Sequence, residues 1–300
     1  MIKLITKKIL VPVDFSDTSI LALRHACFLA KLTKGEVLLV HIIQKNHEAF
    51  GVIEPNVHLD DSMKDVANLM EKRLRQLALD LHHEFGITVK DIVSNGNVSM
   101  ELVKLGKEEK CTLIVMGTQG YSALEMIFIG SNTLKVLSGS NIPVMSVRTP
   151  ADKNGYKSVV LPIDSSPHSR QKVNAAIDLC QEFGAKLHIL GLTDSSDSNF
   201  DMKLKTIFAQ IEDLAKKQNV VATHQMIETP SNKAKATLAF ADKVNADLIM
   251  IMSDQDVEYT GIFLGPYAQQ VINYSKVPVI TIKPEESNDI TFATPGAAGW

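Results

Sequence analysis

The residues best suited to chemistry are Val115-Met116-Gly117-Thr118-Gln119-Gly120 and, after nine further residues, Gly130-Ser131-Asn132-Thr133. An apolar run, Leu113 to Met116, precedes them and reads as a buried strand; Thr133 to Leu137 reads as helical. A strand, a glycine-bearing loop and Gly-Ser at a helix start together make a cradle for phosphate. Glycine lets the backbone approach an anion closely or adopt positive φ. The open N–H groups and dipole of a helix N-terminus favour negative charge, and Ser131 and Thr133 add hydroxyl donors. Such glycines also serve as plain turn residues, and Ser131 as a helix cap. Neither G-x-x-x-x-G-K-[ST] nor G-x-G-x-x-G is present, so P-loop and Rossmann dinucleotide readings lose their main support.

Other reactive residues offer less. Asp14 closes an apolar strand and suits binding or capping better than catalysis, since no second carboxylate or histidine pair lies near it in sequence. His82 and His83 are adjacent on a helix and point about 100° apart, poor geometry for a metal. His41 either lines the site or packs in the core. Ser16 and Ser166 read as caps, with no G-x-S-x-G elbow around them. Cys27, Cys111 and Cys180 are scattered, without metal spacing, and read as small buried hydrophobes.

The positioning elements come from a chain of 300 residues, enough for two domains. Its 45 % hydrophobic and 22 % charged content is that of a globular protein, and a net charge of −3 with no basic run argues against nucleic acid as partner. The N-terminus is too short and charged for a signal peptide, and no apolar run reaches the ~18 residues of a membrane span, so a cytoplasmic location is expected. The chain repeats: Leu10-Val-Pro-Val-Asp-Phe-Ser16 returns as Val160-Leu-Pro-Ile-Asp-Ser-Ser166, and Ile142 to Val147 returns as Val277 to Ile282. Each copy alternates strands and helices, which predicts a parallel sheet with helices on both faces. In copy one, strands are expected at 8–13, 37–43, 89–94, 113–116 and 144–147, with a long loop or lid at 44–61 followed by a helix at 62–84. In copy two, helices are expected at 167–183, 200–218, 231–245 and 267–275. Asp14, Ile42 and Gly117 fall at carboxyl ends of strands, where α/β sheets bind ligands.

The motifs ILVPVDFSD (9–17), VLLVHII (37–43) and G-x-x-G, nine residues, G-[ST] resemble the universal stress protein family in its tandem two-domain form, over nearly all of residues 1–284. The resemblance implies an α/β fold of two five-stranded parallel sheets of the adenine nucleotide α-hydrolase type, packed as a pseudo-twofold pair. The two last strands would pair within the chain, and two such chains could form a further homodimer. It implies ATP, or AMP or another adenine nucleotide, as ligand, accompanied by Mg or Mn. Pro12, Val13 and Asp14 would lie by the nucleoside and Ile42 would offer backbone to adenine. Met116, Gly117, Gly120, Gly130, Ser131, Asn132 and Thr133 would surround the ribose and phosphates. Residues 1–150 are thus expected to be a nucleotide-binding domain, 151–284 a degenerate copy, and 285–300 a flexible tail.

Copy two departs from the pattern: Gly117-Thr-Gln-Gly120 aligns with Ser253-Asp-Gln-Asp256, one residue nearer to the later glycine, and Gly-Ser becomes Gly265-Pro266. Side chains, lost N–H donors and added carboxylates all oppose a phosphate site. The expected function is a stress-response or signalling module rather than a fast catalyst, with no protein partner named. The alternatives are a small-molecule or lipid carrier or scaffold using the cleft between copies, or a nucleotidyl-transferring enzyme of the same fold family.

Overall fold

A computed structural model describes residues 7–44, 59–118, 129–148, 155–193, 198–229, 232–253 and 264–284. The first copy runs β1 (Lys8–Pro12), α1 (Asp17–Thr33), β2 (Glu36–Ile43), α2 (Leu59–Phe85), β3 (Thr88–Asn95), α3 (Val98–Glu108), β4 (Leu113–Gly117), α4 (Ser131–Gly139) and β5 (Val144–Val147). The second runs β6 (Ser158–Ile163), α5 (Pro167–Arg170), α6 (Val173–Phe183), β7 (Lys186–Thr193), α7 (Ser198–Lys217), β8 (Ala222–Glu228), α8 (Lys233–Lys243), β9 (Leu248–Met252), α9 (Pro266–Tyr274) and β10 (Val279–Ile282).

The central strands read as nearly unbroken apolar runs because helices cover both faces of the sheet, whereas the outermost, β3 and β8, carry polar residues and are only partly buried. Side chains alternate: Ile9 and Val11 enter one core with Ala22, Leu23 and Leu39, whereas Leu10 enters the other with Leu38, Val40 and Leu102. Among the described residues the strands form one ten-stranded sheet, ordered β3-β2-β1-β4-β5-β10-β9-β6-β7-β8. Pairing is parallel within each copy and antiparallel only at the seam, where Val279, Ile280 and Thr281 oppose Ser146, Met145 and Val144. The expected pairing of the last strands is therefore present, and the palindromic order gives the two copies their pseudo-twofold relation. Tyr156 fastens the same junction from one face. Its hydroxyl lies 2.9 Å from His25 Nδ1, and its ring stacks 5.3 Å from that of Phe183.

Local signals explain the helix ends. Ser16 caps α1, its Oγ accepting from Ser19 N, and Asp17 adds a favourable charge to the first turn. Left-handed residues close α1 and α6 at equivalent places: Lys34 (φ 52°) and Gly184 (φ 58°). Only the glycine adopts that geometry without a Cβ penalty.

Two expectations change. The single helix expected over 167–183 is broken into α5 and α6. Lys172, fully buried, turns its ammonium back onto Ser169, donating to the carbonyl at 2.9 Å and to Oγ at 3.2 Å. That carbonyl is the one Val173 N–H would take in an unbroken helix. The loop expected at 44–61 ends earlier, since α2 already begins at Leu59; residues 45–58 lie outside the described residues, as do Gly120 and 285–300. No helix among the described residues is long and apolar enough to cross a membrane.

Candidate functional site

The strand order reverses between β1 and β4, and ligands of open α/β sheets sit at such a switch point, beyond the carboxyl strand ends. A cavity of about 280 Å³ opens there. Pro12, Val13 and Asp14 line it from the end of β1, Ile42 from β2, Met116 and Gly117 from β4, and Gly130, Ser131, Asn132 and Thr133 from the start of α4. Ten of the eleven site residues read from the sequence thus share one cavity; the eleventh, Gly120, is outside the described residues. Sequence reading missed Ser19, Val40, Gln44 and Val98, which also line it. Val98 had a signal: it starts α3 one residue after the Gly96-Asn97 turn that ends β3, another carboxyl strand end.

Each part of the wall has a local cause. Val13 is tied at both backbone groups: its N–H donates to Val40 O at 2.8 Å, and its carbonyl accepts from His41 Nδ1 at 2.7 Å. His41 therefore carries its proton on Nδ1 and holds the β1 exit in place. Asp14 Oδ1 accepts from Ser16 N (3.0 Å) and Ser16 Oγ (2.5 Å), so the carboxylate orients the cap of α1 while lining the cavity. Between them Phe15 sits at φ 64°, a left-handed conformation that strains a bulky residue. Its ring packs against His41 (centroids 5.4 Å apart) and beneath the Arg73 guanidinium (4.0 Å).

Gly117 and Gly130 do not have the positive φ that the loop pattern suggests; close backbone approach is what requires them. A Cβ on Gly117 would stand 2.9 Å from the carbonyl of Thr18, and one on Gly130 3.3 Å from the carbonyl of Thr118. Gly117→Ala is accordingly expected to lower stability by about 1–3 kcal/mol, the range for an overpacked site, because the first turn of α1 must shift; a denaturant midpoint equal to wild type would contradict this.

Two expected donors are already engaged. Gly130 N–H donates to Thr118 O at 2.7 Å, closing the loop, and Thr133 Oγ1 donates to Gly117 O at 3.0 Å. What stays open is the first turn of α4: the amides of Ser131, Asn132 and Thr133 precede any i−4 carbonyl and find no acceptor among the described residues. No lysine or arginine lines the cavity among the described residues, so attraction for an anion rests on these amides and the helix dipole. The opposite, β2 side is mainly apolar, with Val40, Ile42 and Val98 beside His41 and Gln44.

The second copy differs at the same place. Ser253 N–H donates to Ile282 O, as Thr118 N–H does to Val147 O, and Gly265 N–H donates to Ser253 O, as Gly130 N–H does to Thr118 O. Ser253 is therefore the counterpart of Thr118, not of Gly117, and the interval to the later glycine is unchanged. This corrects the alignment made from residue types. Met252 stands where Gly117 stands, and Pro266 replaces Ser131 at the helix start. Gly191 replaces His41, and a Cβ there would run into the Phe208 ring. Lys172 replaces Ala22 under the helix start; burial pushes its ammonium pKa down to about 7, partly offset by Asp164. All three cysteines are free and buried, and burial raises their thiol pKa values to about 11 (Cys111) and 12 (Cys27, Cys180).

The universal stress protein family model matches the chain twice, over residues 6–148 and 155–283. Universal stress protein MJ0577 of Methanocaldococcus jannaschii is 33 % identical over 153 residues, covering 47 % of this chain and 94 % of its own. A universal stress protein of Mycolicibacterium smegmatis is 26 % identical over 290 residues, covering 92 % of this chain and 97 % of its own. The crystal structure of a universal stress protein from Archaeoglobus fulgidus superposes with a TM-score of 0.74 at 22 % identity, over 95 % of this chain and 99 % of that one. With both halves matched by one model and a shared sheet joining them, the chain belongs to the universal stress protein family, as a tandem of two such domains.

Proposed function

We propose that the first domain binds ATP, or a related adenine nucleotide such as AMP, and that the protein serves as a stress-response or signalling module. The observation that carries this reading is the pairing, in one cavity, of an apolar wall on the β2 side with three open amides at the start of α4. A nucleoside suits the first and phosphates the second. Adenine would lie toward Val40, Ile42 and Val98, meeting the Ile42 backbone; the ribose would lie by Asp14; the phosphates would accept from Ser131, Asn132 and Thr133. Mg or Mn would be held chiefly by phosphate oxygens and water, because among the described residues no cluster of His, Cys, Asp or Glu is built for a metal. Any hydrolysis would be slow: His41 Nδ1 is engaged by Val13, Asp14 Oδ1 by Ser16, and among the described residues no lining cation is aimed at a γ-phosphate.

The second domain, on this reading, holds no ATP. Met252 fills the close-approach position, Pro266 has no N–H to offer, and buried Lys172 has replaced an alanine of the helix start. Calorimetric titration of the full chain tests both statements. One equivalent of ATP per chain is expected, with micromolar affinity. No heat with any adenine nucleotide would overturn the first statement, and two equivalents the second.

A further inference from the structure

We infer that Asn273, in the last turn of the second domain's α9, is a positioning residue for the anion cradle of the first domain. The inference rests on the nucleotide reading of that cradle. Ile129 immediately precedes Gly130, and its amide has no partner in its own domain among the described residues; it donates to Asn273 Oδ1 at 3.0 Å, across 144 positions of sequence. Asn273 is held from the other side as well. The Arg148 guanidinium donates to its backbone carbonyl, across 125 positions. That carbonyl belongs to a helix C-terminus and has no later amide in α9 to take it, so the arginine supplies the missing donor. Arg148 directly follows Val147, whose carbonyl accepts from Thr118 N–H at 2.9 Å. Both segments of the cradle, the one entering α4 and the one leaving β4, are thereby referred to a single residue of the other domain, the first through its side chain and the second through its backbone carbonyl.

The arrangement runs one way. With the offset of 135 that relates β4 and β5 to β9 and β10, Asn273 corresponds to Ser138 and Ile129 to Leu264. Ser138 turns its hydroxyl onto its own helix, donating to Leu134 O at 2.9 Å, and the Leu264 carbonyl accepts from Gln269 Nε2 of its own domain at 2.6 Å. The second domain braces the first by a bond that the first does not return. A duplicate without an anion site would then still serve its neighbour, by fixing where the first turn of α4 points its amides.

Asn273→Leu removes the acceptor at nearly constant volume, and Asn273→Ala removes it with less crowding. Titration of the full-length variants should show ATP affinity lowered about five- to tenfold, the effect of one lost hydrogen bond. Adenosine, which has no phosphate to place, should bind within twofold of wild type. In the wild-type chain the Ile129 amide should exchange with deuterium slowly. Equal losses for ATP and adenosine would mean simple weakening of the interface and overturn the inference. So would unchanged ATP affinity in either folded variant, or fast exchange at Ile129. Failure of the wild-type chain to bind ATP at all is a separate result and removes the nucleotide reading itself.

Discussion

Ser131→Asp is expected to leave the protein folded, with a melting temperature equal to or slightly above wild type, while ATP affinity falls about thirtyfold. The two effects have opposite signs because they share one cause. Ser131 opens α4, is exposed, and follows the N-cap Gly130, which has no side chain to cap the helix. A carboxylate there meets the positive end of the helix dipole and gains about 0.3–1 kcal/mol. The same charge stands where phosphate would. Like charges about 4 Å apart repel by about 4 kcal/mol at an effective dielectric near 20; discounting this by roughly half for solvent screening at an exposed position leaves about 2 kcal/mol, a loss of about thirtyfold. Calorimetry and a thermal melt on one sample read both quantities. A stable variant that binds ATP as wild type does would remove the cradle from the site.

Lys172→Met should raise stability by about 4 kcal/mol at pH 6–7, and the gain should shrink as the pH rises. The ordinary lysine value is 10.5, and burial lowers that of Lys172 to about 7 in the folded chain. Between those values the unfolded chain binds the extra proton, so stability rises with pH from 7 to 10.5 and the burial penalty is present in full below pH 7. Methionine fills a similar volume without a charge. The buried thiols, whose pKa values are raised, act in the opposite direction at alkaline pH. The quantity to measure is therefore the difference in denaturant stability between variant and wild type at several pH values. A difference that does not change between pH 6 and 10 would show that Lys172 is no more protonated in the unfolded chain than in the native one.

Much of this fold is legible in the sequence because its central strands are buried on both faces. Runs such as Leu113 to Met116 and Val279 to Ile282 have no amphipathic ambiguity, and the recurring Pro-Val and Pro-Ile pairs expose the duplication. The cavity is legible through strand ends, a topological rule that needs no side-chain geometry. What escapes depends on hydrogen bonds that residue types do not show. Matching Gly117 to Ser253 by chemical kind slips the register by one, whereas the bonds to Val147 and Ile282 fix it. Lys172 reads as an ordinary polar residue of a continuous helix; only in three dimensions does its ammonium replace the amide of Val173 at the Ser169 carbonyl. His41 stands equally well as core or site residue until the structure shows it lining the cavity with its Nδ1 on the Val13 carbonyl. Gly117 and Gly130 point to the right place for a different reason, since the crowding that forbids a Cβ comes from Thr18 and Thr118.

The antiparallel seam between β5 and β10 leaves β3 and β8 as the outer rims of the sheet. Had the two halves been separate polypeptides, each would present an unsatisfied row of amides and carbonyls, and their union would depend on how much of each the cell held. Fusion within one gene product makes that encounter intramolecular, so dilution leaves the pair intact. Exchange of one half for another, open to two separate polypeptides, is thereby closed to the pair within this chain.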